Sequence, residues 1–226
     1  MKRTICGILS FSLFLLGCGA AAAEGGSARL LYQGHGSLRI VTGEGKVIYI
    51  DPFAGDGYDL PADLILVTHG HQDHTAMNLI RNRNKDCRII TWKEALVNGE
   101  YKTFDLGYAM VEAVQAGNNP NHNIKECVGW VITLSSGVTV YVTGDTSATE
   151  QMAELAEREI DYAFFVCDGK YNMDTEEAAA CAKLVNAKHS IPYHMAPGKL
   201  FDQARAEQFD APNRLIIPAG EEIILE

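Results

Sequence analysis

Short apolar runs separated by turn-forming residues make up most of the first two thirds of the chain. Around Val47 and Tyr49 apolar and polar positions alternate, which is typical of a strand with one buried face. Residues 62–67 are almost entirely apolar, which indicates a strand buried on both faces. The pattern predicts eight strands, over residues 29–32, 38–42, 46–50, 63–68, 88–92, 108–115, 128–134 and 138–143.

Helical spacing becomes frequent further along. Predicted helices cover residues 147–159, 175–185 and 199–209, and Ser147 and Thr175 are the expected capping residues of the first two. Helical spacing is also expected after His74, with a helical turn at 93–97. Strands are predicted between and after the helices, over residues 162–166, 190–193, 215–217 and 223–225. No linker-like stretch divides the chain, so residues 24–226 are predicted to form one α/β domain.

The first 23 residues have the pattern of a secretory signal. A short basic start, an apolar stretch and the small residues 20–23 follow one another, and the apolar stretch is too short for an ordinary membrane span. The alternative is a lipoprotein signal that ends before Cys18, because residues 15–18 resemble a lipobox. Both readings predict an exported protein, either periplasmic or anchored to the cell envelope by a lipid at Cys18.

The acidic balance of the chain disfavours nucleic acid as a partner. The formal net charge is −10, and the signal segment carries two basic residues and no acidic ones, so its removal changes the charge to −12. Such a surface is poorly suited to hold a polyanion through phosphate contacts. Four cysteines remain beyond the signal and allow three disulfide pairings, although buried free thiols are the simpler expectation: Cys87, Cys127, Cys167 and Cys181.

The stretch 68–74 carries the densest candidate chemistry. Four potential metal ligands lie within six residues, directly after a predicted buried strand: His69, His71, Asp73 and His74. His69 and His71 are two positions apart, so both imidazoles can point to the same side of an extended backbone. Ligands clustered at the end of a rigid strand predict a metal site.

Three more candidate ligands lie far downstream at the ends of other elements. His122 lies in an asparagine-rich loop, Asp145 follows the strand 138–143, and His194 follows the strand 190–193. Imidazole and carboxylate groups suit zinc, manganese or iron better than calcium or magnesium.

As an ordered set, these motifs resemble the metallo-β-lactamase superfamily. The segments 34–37, 51–53, 128–130, 171–173 and 191–194 are similar to those of its lactonase-like branch of small metal-dependent hydrolases, the UPF0173 type. The resemblance implies a four-layer αββα sandwich with the site at one edge. The chain departs from the sequence of the branch at Met195-Ala196-Pro197. The phosphorylated substrates of cytoplasmic relatives are not expected for an exported protein.

The resemblance also implies how the ligands divide between two divalent metal ions, with zinc expected first and manganese or iron as alternatives. His69, His71 and His122 would hold one ion. Asp73, His74 and His194 would hold the other, and Asp145 would bridge the two. Asp51 is expected to orient a ligand histidine, and His35 to lie beside the metals or contact the substrate.

Two such cations would lower the pKa of a bridging water, and the resulting hydroxide would attack an ester, lactone, amide or phosphodiester bond. Asp73 would act as the catalytic residue that orients this nucleophile. The expected substrate is a small or lipid-like molecule. The alternatives are a nuclease or a β-lactamase of the same superfamily, or a non-catalytic exported metal-binding protein.

Overall fold

The computed structural model describes residues 26–226, and the predicted signal segment with Cys18 lies outside them. In chain order the strands are β1 (Ala28–Gly34), β2 (Ser37–Val41), β3 (Val47–Ile50), β4 (Ala62–Val67), β5 (Arg83–Thr91), β6 (Leu96–Val97), β7 (Glu100–Tyr101), β8 (Thr103–Asp105), β9 (Ala109–Gln115), β10 (Val128–Leu134), β11 (Thr139–Val142), β12 (Tyr162–Val166), β13 (His189–Tyr193) and β14 (Glu222–Leu225). The α-helices are α1 (Trp92–Ala95), α2 (Thr175–Val185) and α3 (Gln203–Gln208), and 3-10 helices cover Gln72–His74, Met77–Leu79 and Glu150–Arg158.

Two six-stranded mixed sheets form the centre of the molecule. The first has the order β14-β1-β2-β3-β4-β5, and the second has the order β13-β12-β11-β10-β9-β8. In the first sheet β3, β4 and β5 run parallel, and in the second β11, β12 and β13 run parallel. The carboxyl ends of parallel strands meet at one edge of a sheet, which is where ligand sites usually form in such sheets.

Strand β4 explains how the first sheet is buried on both faces. Leu64 and Leu66 belong to the main core between the sheets, whereas Ile65 and Val67 belong to a smaller apolar cluster on the opposite face. This alternation follows from the two-residue repeat of a strand. Residues such as Ile80 and Tyr58 cover the smaller cluster, so the outer layer on this sheet is made of loops and 3-10 turns.

Helix α2 contributes to the outer layer of the second sheet. Its residues Ala178, Ala182 and Val185 are part of the main core. The helix has the predicted bounds, but its N-cap is Asp174, whose side chain accepts hydrogen bonds from the amides of Glu176 and Glu177 at 3.0 and 2.8 Å. The prediction that Thr175 caps this helix was wrong. The predicted α/β sandwich is confirmed.

Backbone hydrogen bonds to neighbouring segments accompany two further differences from the predicted elements. The helix predicted at 147–159 begins only at Glu150 and is a 3-10 helix whose N-cap position is Thr149, so the prediction that Ser147 caps it was wrong. The amides of Ser147 and Ala148 bond to Gly117 O and to the Glu177 carboxylate. The helical spacing expected after His74 gives only one short 3-10 turn, Met77–Leu79, and the amide of Ala76 bonds to Pro52 O.

The C-terminal elements are shorter than predicted. Helix α3 occupies only part of the predicted 199–209, since Asp202 caps it by accepting a hydrogen bond from the amide of Arg205. Residues 215–217 form no strand, and their neighbour Arg214 makes only an isolated bridge to Ser190 of β13.

In the first sheet β5 begins at Arg83, five positions before the predicted start at 88.

The four cysteines of the described chain are free thiols: Cys87, Cys127, Cys167 and Cys181. All but Cys87 are buried, and burial raises the pKa of each of those three thiols to about 12. This agrees with the expectation of buried, unreactive thiols. Within residues 26–226 no helix has the length and apolarity needed to cross a membrane.

Candidate metal centre

The predicted ligands come together at one edge of the sandwich. His69 follows β4, Asp145 follows β11, His194 follows β13, and His122 lies in the loop between β9 and β10. All four are buried. Of the remaining predicted ligands, which are His71, Asp73 and His74, the first is exposed, the second half-buried and the third fully buried.

Three groups of side chains bring possible ligand atoms within 4.8 Å of one another: His69, His71 and His122; His35, Asp73, His74 and His194; and His69, His74 and Asp145. The first two groups correspond to the two ligand sets that the resemblance implied. The second contains an additional member, His35, which was expected only to lie beside the metals. That each of these side chains ligates a metal stays a prediction.

Asp145 lies between the two groups and faces both. Its Oδ1 is 3.4 Å from Nε2 of His74 and 3.4 Å from Nε2 of His194, whereas its Oδ2 is 3.2 Å from Nε2 of His122. Burial alone would raise the pKa of this carboxyl, but the imidazoles of His194 and His74 hold its pKa well below the usual range. An ionised carboxylate in this position can serve two cations at once.

Buried polar atoms without hydrogen-bond partners mark the same point. Among the described residues these include Oδ1 of Asp145 and the Nε2 atoms of four histidines, namely His69, His74, His122 and His194. Leaving one buried polar group unsatisfied costs about 1–3 kcal/mol. Five such atoms at one place fit a site built to hold metal ions, and the nitrogen and oxygen donors suit zinc, manganese or iron.

The other ring nitrogen of three histidines has a partner that directs Nε2 towards this point. Nδ1 of His74 is 2.8 Å from Oδ2 of Asp51, and Nδ1 of His122 is 3.2 Å from Oδ1 of Asn119. Nδ1 of His69 is 3.0 Å from the Thr68 hydroxyl, which itself donates to Asp51 at 2.6 Å. A hydrogen bond donated from Nδ1 leaves the Nε2 lone pair free for a cation.

Two histidines of this set have opposite electrostatic surroundings. Burial and the nearby imidazole of His74 lower the pKa of His69 to about 2, so its ring is neutral. Burial acts in the same direction on His74, but the carboxylates of Asp145 and Asp51 outweigh it and raise its pKa to about 9. The negative charge around His74 therefore favours a cation at its Nε2.

His35 reaches the site from the turn between β1 and β2. Its backbone is left-handed, with a φ of 52°, and its Nε2 is 3.1 Å from Oδ2 of Asp73. This hydrogen bond is the main reason why the pKa of Asp73 lies below the usual range. The next residue must be small, because a Cβ on Gly36 would lie 2.9 Å from Cε1 of His74.

Two cavities flank the centre. One of about 330 Å³ is lined by five of the seven candidate ligands, all except His69 and His74, together with Asn121 and Tyr171, and Tyr171 is 43% exposed. The other, of about 300 Å³, lies on the far side of His71 and includes Trp92 and Cys127. Both cavities contact His71, Asn121 and His122. A substrate could therefore extend to both sides of the metal centre.

Sequence reasoning missed several residues that touch the candidate ligands or border the cavities, and it included Asn172 only within the segment 171–173 that is similar to the lactonase-like branch. Asn119, Asp168 and Asn172 contact His122, His194 and Asp145 respectively, and Trp92 borders the second cavity. The asparagine-rich composition of the loop 117–123 was the available signal for Asn119, and it was interpreted only as a loop. Within the segment 171–173, Tyr171 lines the cavity, whereas Met173 is buried in the core.

Comparison with known proteins agrees with the fold. The model of the "Beta-lactamase superfamily domain" family matches residues 29–194. The chain belongs to the metallo-β-lactamase superfamily and is a metal-dependent hydrolase.

Among relatives, the chain is similar to a "UPF0173 metal-dependent hydrolase" of Lysinibacillus sphaericus, with 29% identity over 85% of this chain and 97% of the relative. A protein of the same description from Rubrobacter xylanophilus is 30% identical over 75% of this chain and 82% of the relative. The crystal structure of a "Putative metal-dependent hydrolase" from Parabacteroides distasonis is similar to this chain, with a TM-score of 0.68 and 27% identity. The similarity covers 83% of this chain and 90% of that one.

Proposed function

We propose that the protein hydrolyses an ester, lactone, amide or phosphodiester bond of a small or lipid-like molecule with the help of two divalent metal ions. The observation that carries the proposal is Asp145, whose two carboxylate oxygens face different groups of candidate ligands. A single-metal site would need only one of these faces.

The chain offers a complete set of ligands for both ions. His69, His71 and His122 would hold one, and Asp73, His74 and His194 the other, with Asp145 shared. Zinc is the first candidate, and manganese or iron are the alternatives. When bound, such ions supply Lewis acidity, which activates water near neutral pH and stabilises negative charge on the substrate.

Asp73 is the proposed catalytic residue. It lies on the wall of the cavity next to Tyr171, and its Oδ2 bonds to His35, so Oδ1 is the oxygen available to an attacking water. Because His35 lowers the pKa of Asp73, the carboxylate is a weak base and a good hydrogen-bond acceptor. Its proposed role is therefore to orient the water, and the hydrogen bond from His35 holds the carboxylate in place.

The surroundings favour a small or lipid-like substrate over a nucleic acid. The net charge of −10 disfavours polyanions, and the exposed ring of Tyr171 together with Trp92 offers apolar surface on both sides of the centre. We also propose that the protein acts after export, in the periplasm or at the cell envelope.

The test combines metal analysis with a substrate screen. We expect the purified protein to contain close to two metal ions per chain and to turn over a phosphodiester, lactone, ester or amide substrate in a chelator-sensitive way. A chromogenic cephalosporin belongs in the same screen, and its preferred hydrolysis would indicate a β-lactamase. Metal without any turnover would indicate a metal-binding protein. If Asp145→Ala kept two ions and full activity, the two-metal proposal would be wrong.

A further inference from the structure

Asp168 lies behind the candidate metal centre, just after β12, and is 2% exposed. Its Oδ1 accepts hydrogen bonds from the amides of Lys170 and Tyr171 at 2.8 and 2.7 Å. Its Oδ2 accepts one from the Asn172 side chain at 2.6 Å. The carboxylate thus holds the loop that follows β12 in one conformation.

The Asn172 side chain connects this carboxylate to the centre. Its Nδ2 donates to Oδ2 of Asp168 and also to Oδ2 of Asp145, at 2.6 and 2.8 Å. An atom this close to two carboxylate oxygens must be the amide nitrogen, because an amide oxygen would be repelled by both. The hydrogen bond from Asn172 to Oδ2 of Asp145 leaves Oδ1 of Asp145 to face His74 and His194. This hydrogen bond therefore determines which carboxylate oxygen faces which group of candidate ligands.

Asp168 also faces a second candidate ligand. Its Oδ2 is 3.8 Å from Nδ1 of His194, which makes no hydrogen bond within the described chain. This separation is longer than a hydrogen bond, but among the described residues Asp168 has the only carboxylate oxygen within 4.0 Å of that nitrogen. The buried carboxylate of Asp168 is therefore linked through Asn172 to Asp145 and lies next to His194, and both are side chains that would complete the site.

The backbone around Asp168 is itself held from the other side. Arg205 of α3 donates to the carbonyl oxygens of Asp168 and Cys167 at 2.6 and 3.3 Å. Gly169 has a φ of 66°, and a Cβ there would lie 2.7 Å from Nη1 of Arg205. Helix α3 and the loop thus support Asp168 in its buried position.

We propose that Asp168 and Asn172 are positioning residues that set the orientation of Asp145 and His194 towards the metal ions. The inference rests on the proposed function. Partners that orient metal ligands typically contribute about 10- to 100-fold to metal affinity. The two residues act through one another, so their effects on affinity are expected to be less than additive.

The test measures metal affinity by competition with a chromogenic chelator. We expect Asn172→Ala to bind zinc about 10- to 100-fold more weakly than the parent protein. Asn172→Gln, which keeps an amide donor, is expected to retain more affinity than the alanine variant. The d–d spectrum of the Co²⁺-loaded protein is expected to change in Asn172→Ala, because the angle of the Asp145 carboxylate changes. The double variant Asn172→Ala/Asp168→Asn is expected to lose less affinity than the two single losses combined.

Asp161→Asn is the matched control. Asp161 is a buried carboxylate just before β12, where it accepts hydrogen bonds from Thr139 N and Lys188 Nζ at 2.8 and 2.6 Å, far from the candidate ligands. This variant is expected to lose stability but to keep the parental zinc affinity and Co²⁺ spectrum.

The outcomes separate the two proposals. Parent protein that binds no metal overturns the proposed function. Parent protein that binds two ions, with an affinity and a spectrum that Asn172→Ala leaves unchanged, overturns only the positioning role. Equal losses of affinity in Asn172→Ala and Asp161→Asn would also overturn it, since they would reflect general destabilisation. If Asn172→Ala does not fold, Asn172→Ser is compared with the same control by the same criteria.

Discussion

At the scale of single residues, the centre depends on side chains that hold the ligands from behind. Asp51 is fully buried and accepts hydrogen bonds from the Thr68 amide and hydroxyl as well as from His74. Through Thr68 it also influences His69, so one carboxylate orients one member of each proposed ligand set. Its left-handed φ of 45° is uncommon for a residue other than glycine and fits a functional position.

Asp51→Asn tests this role. An amide cannot accept hydrogen bonds at both ends, so either the Thr68 amide or His74 loses its acceptor. We expect metal affinity to fall by about 10- to 100-fold, measured by chelator competition. Asp63→Asn is the control, because Asp63 is another buried carboxylate of the first sheet and accepts from Val47 N and Lys46 Nζ, both at 3.0 Å. An equal loss of affinity in both variants would contradict the role of Asp51.

At the scale of elements, local patterns predicted the strands and the histidine motif, whereas tertiary contacts decided the rest. Strands such as β10 were predictable because nearly all their residues are apolar. The clustering at 69–74 was predictable because its four candidate ligands lie within six residues. The contact between Asn172 and Asp145 was not predictable, because the two residues lie 27 positions apart and the similarity of the segment 171–173 does not indicate which atoms meet. The bond of the Ser147 amide to Gly117 O was unpredictable for the same reason.

The N-cap of α2 gives a prediction at this scale. Asp174→Ala removes an acceptor for two backbone amides, and we expect it to lower the free energy of unfolding by about 1 kcal/mol. Thr175→Ala, at the position that the sequence pattern favoured, is expected to cost clearly less. Denaturant unfolding of both variants decides between the two caps, and the assignment fails if Thr175→Ala is the more damaging change.

At the scale of the whole molecule, the two sheets hold ligands that come from distant parts of the chain. Metal ions that bind only this folded arrangement stabilise it against unfolding. Ions present at about 100 times their dissociation constant would add about 2.7 kcal/mol, which corresponds to a rise in Tm of about 5–10 °C for a chain of this size.

Thermal unfolding with and without chelator measures this effect. We expect chelation to lower the Tm of the parent protein and of His189→Gln to the same extent, because His189 stacks on Tyr162, away from the centre. His194→Gln is expected to show a smaller difference. A Tm that chelator leaves unchanged in the parent protein would contradict metal-linked stability.

The proposed export is also tested on the whole chain. If residues 1–23 direct secretion, cell fractionation is expected to find the full-length protein outside the cytoplasm and a variant that begins at residue 24 inside it. Lipidation at Cys18 predicts that Cys18→Ala moves the protein from the membrane fraction to the soluble fraction. Cytoplasmic recovery of the full-length chain would contradict the proposed localisation.

The close approach of His35 and His194 has a consequence for the order of biosynthesis. Their ring centroids are 3.7 Å apart, and the His194 amide donates to His35 O at 2.9 Å, although the two residues come from opposite ends of the domain. A nascent chain that ends before residue 194 lacks a member of the second proposed ligand set and the partner of His35. The proposed two-metal centre can therefore form only after nearly the whole domain has been synthesised.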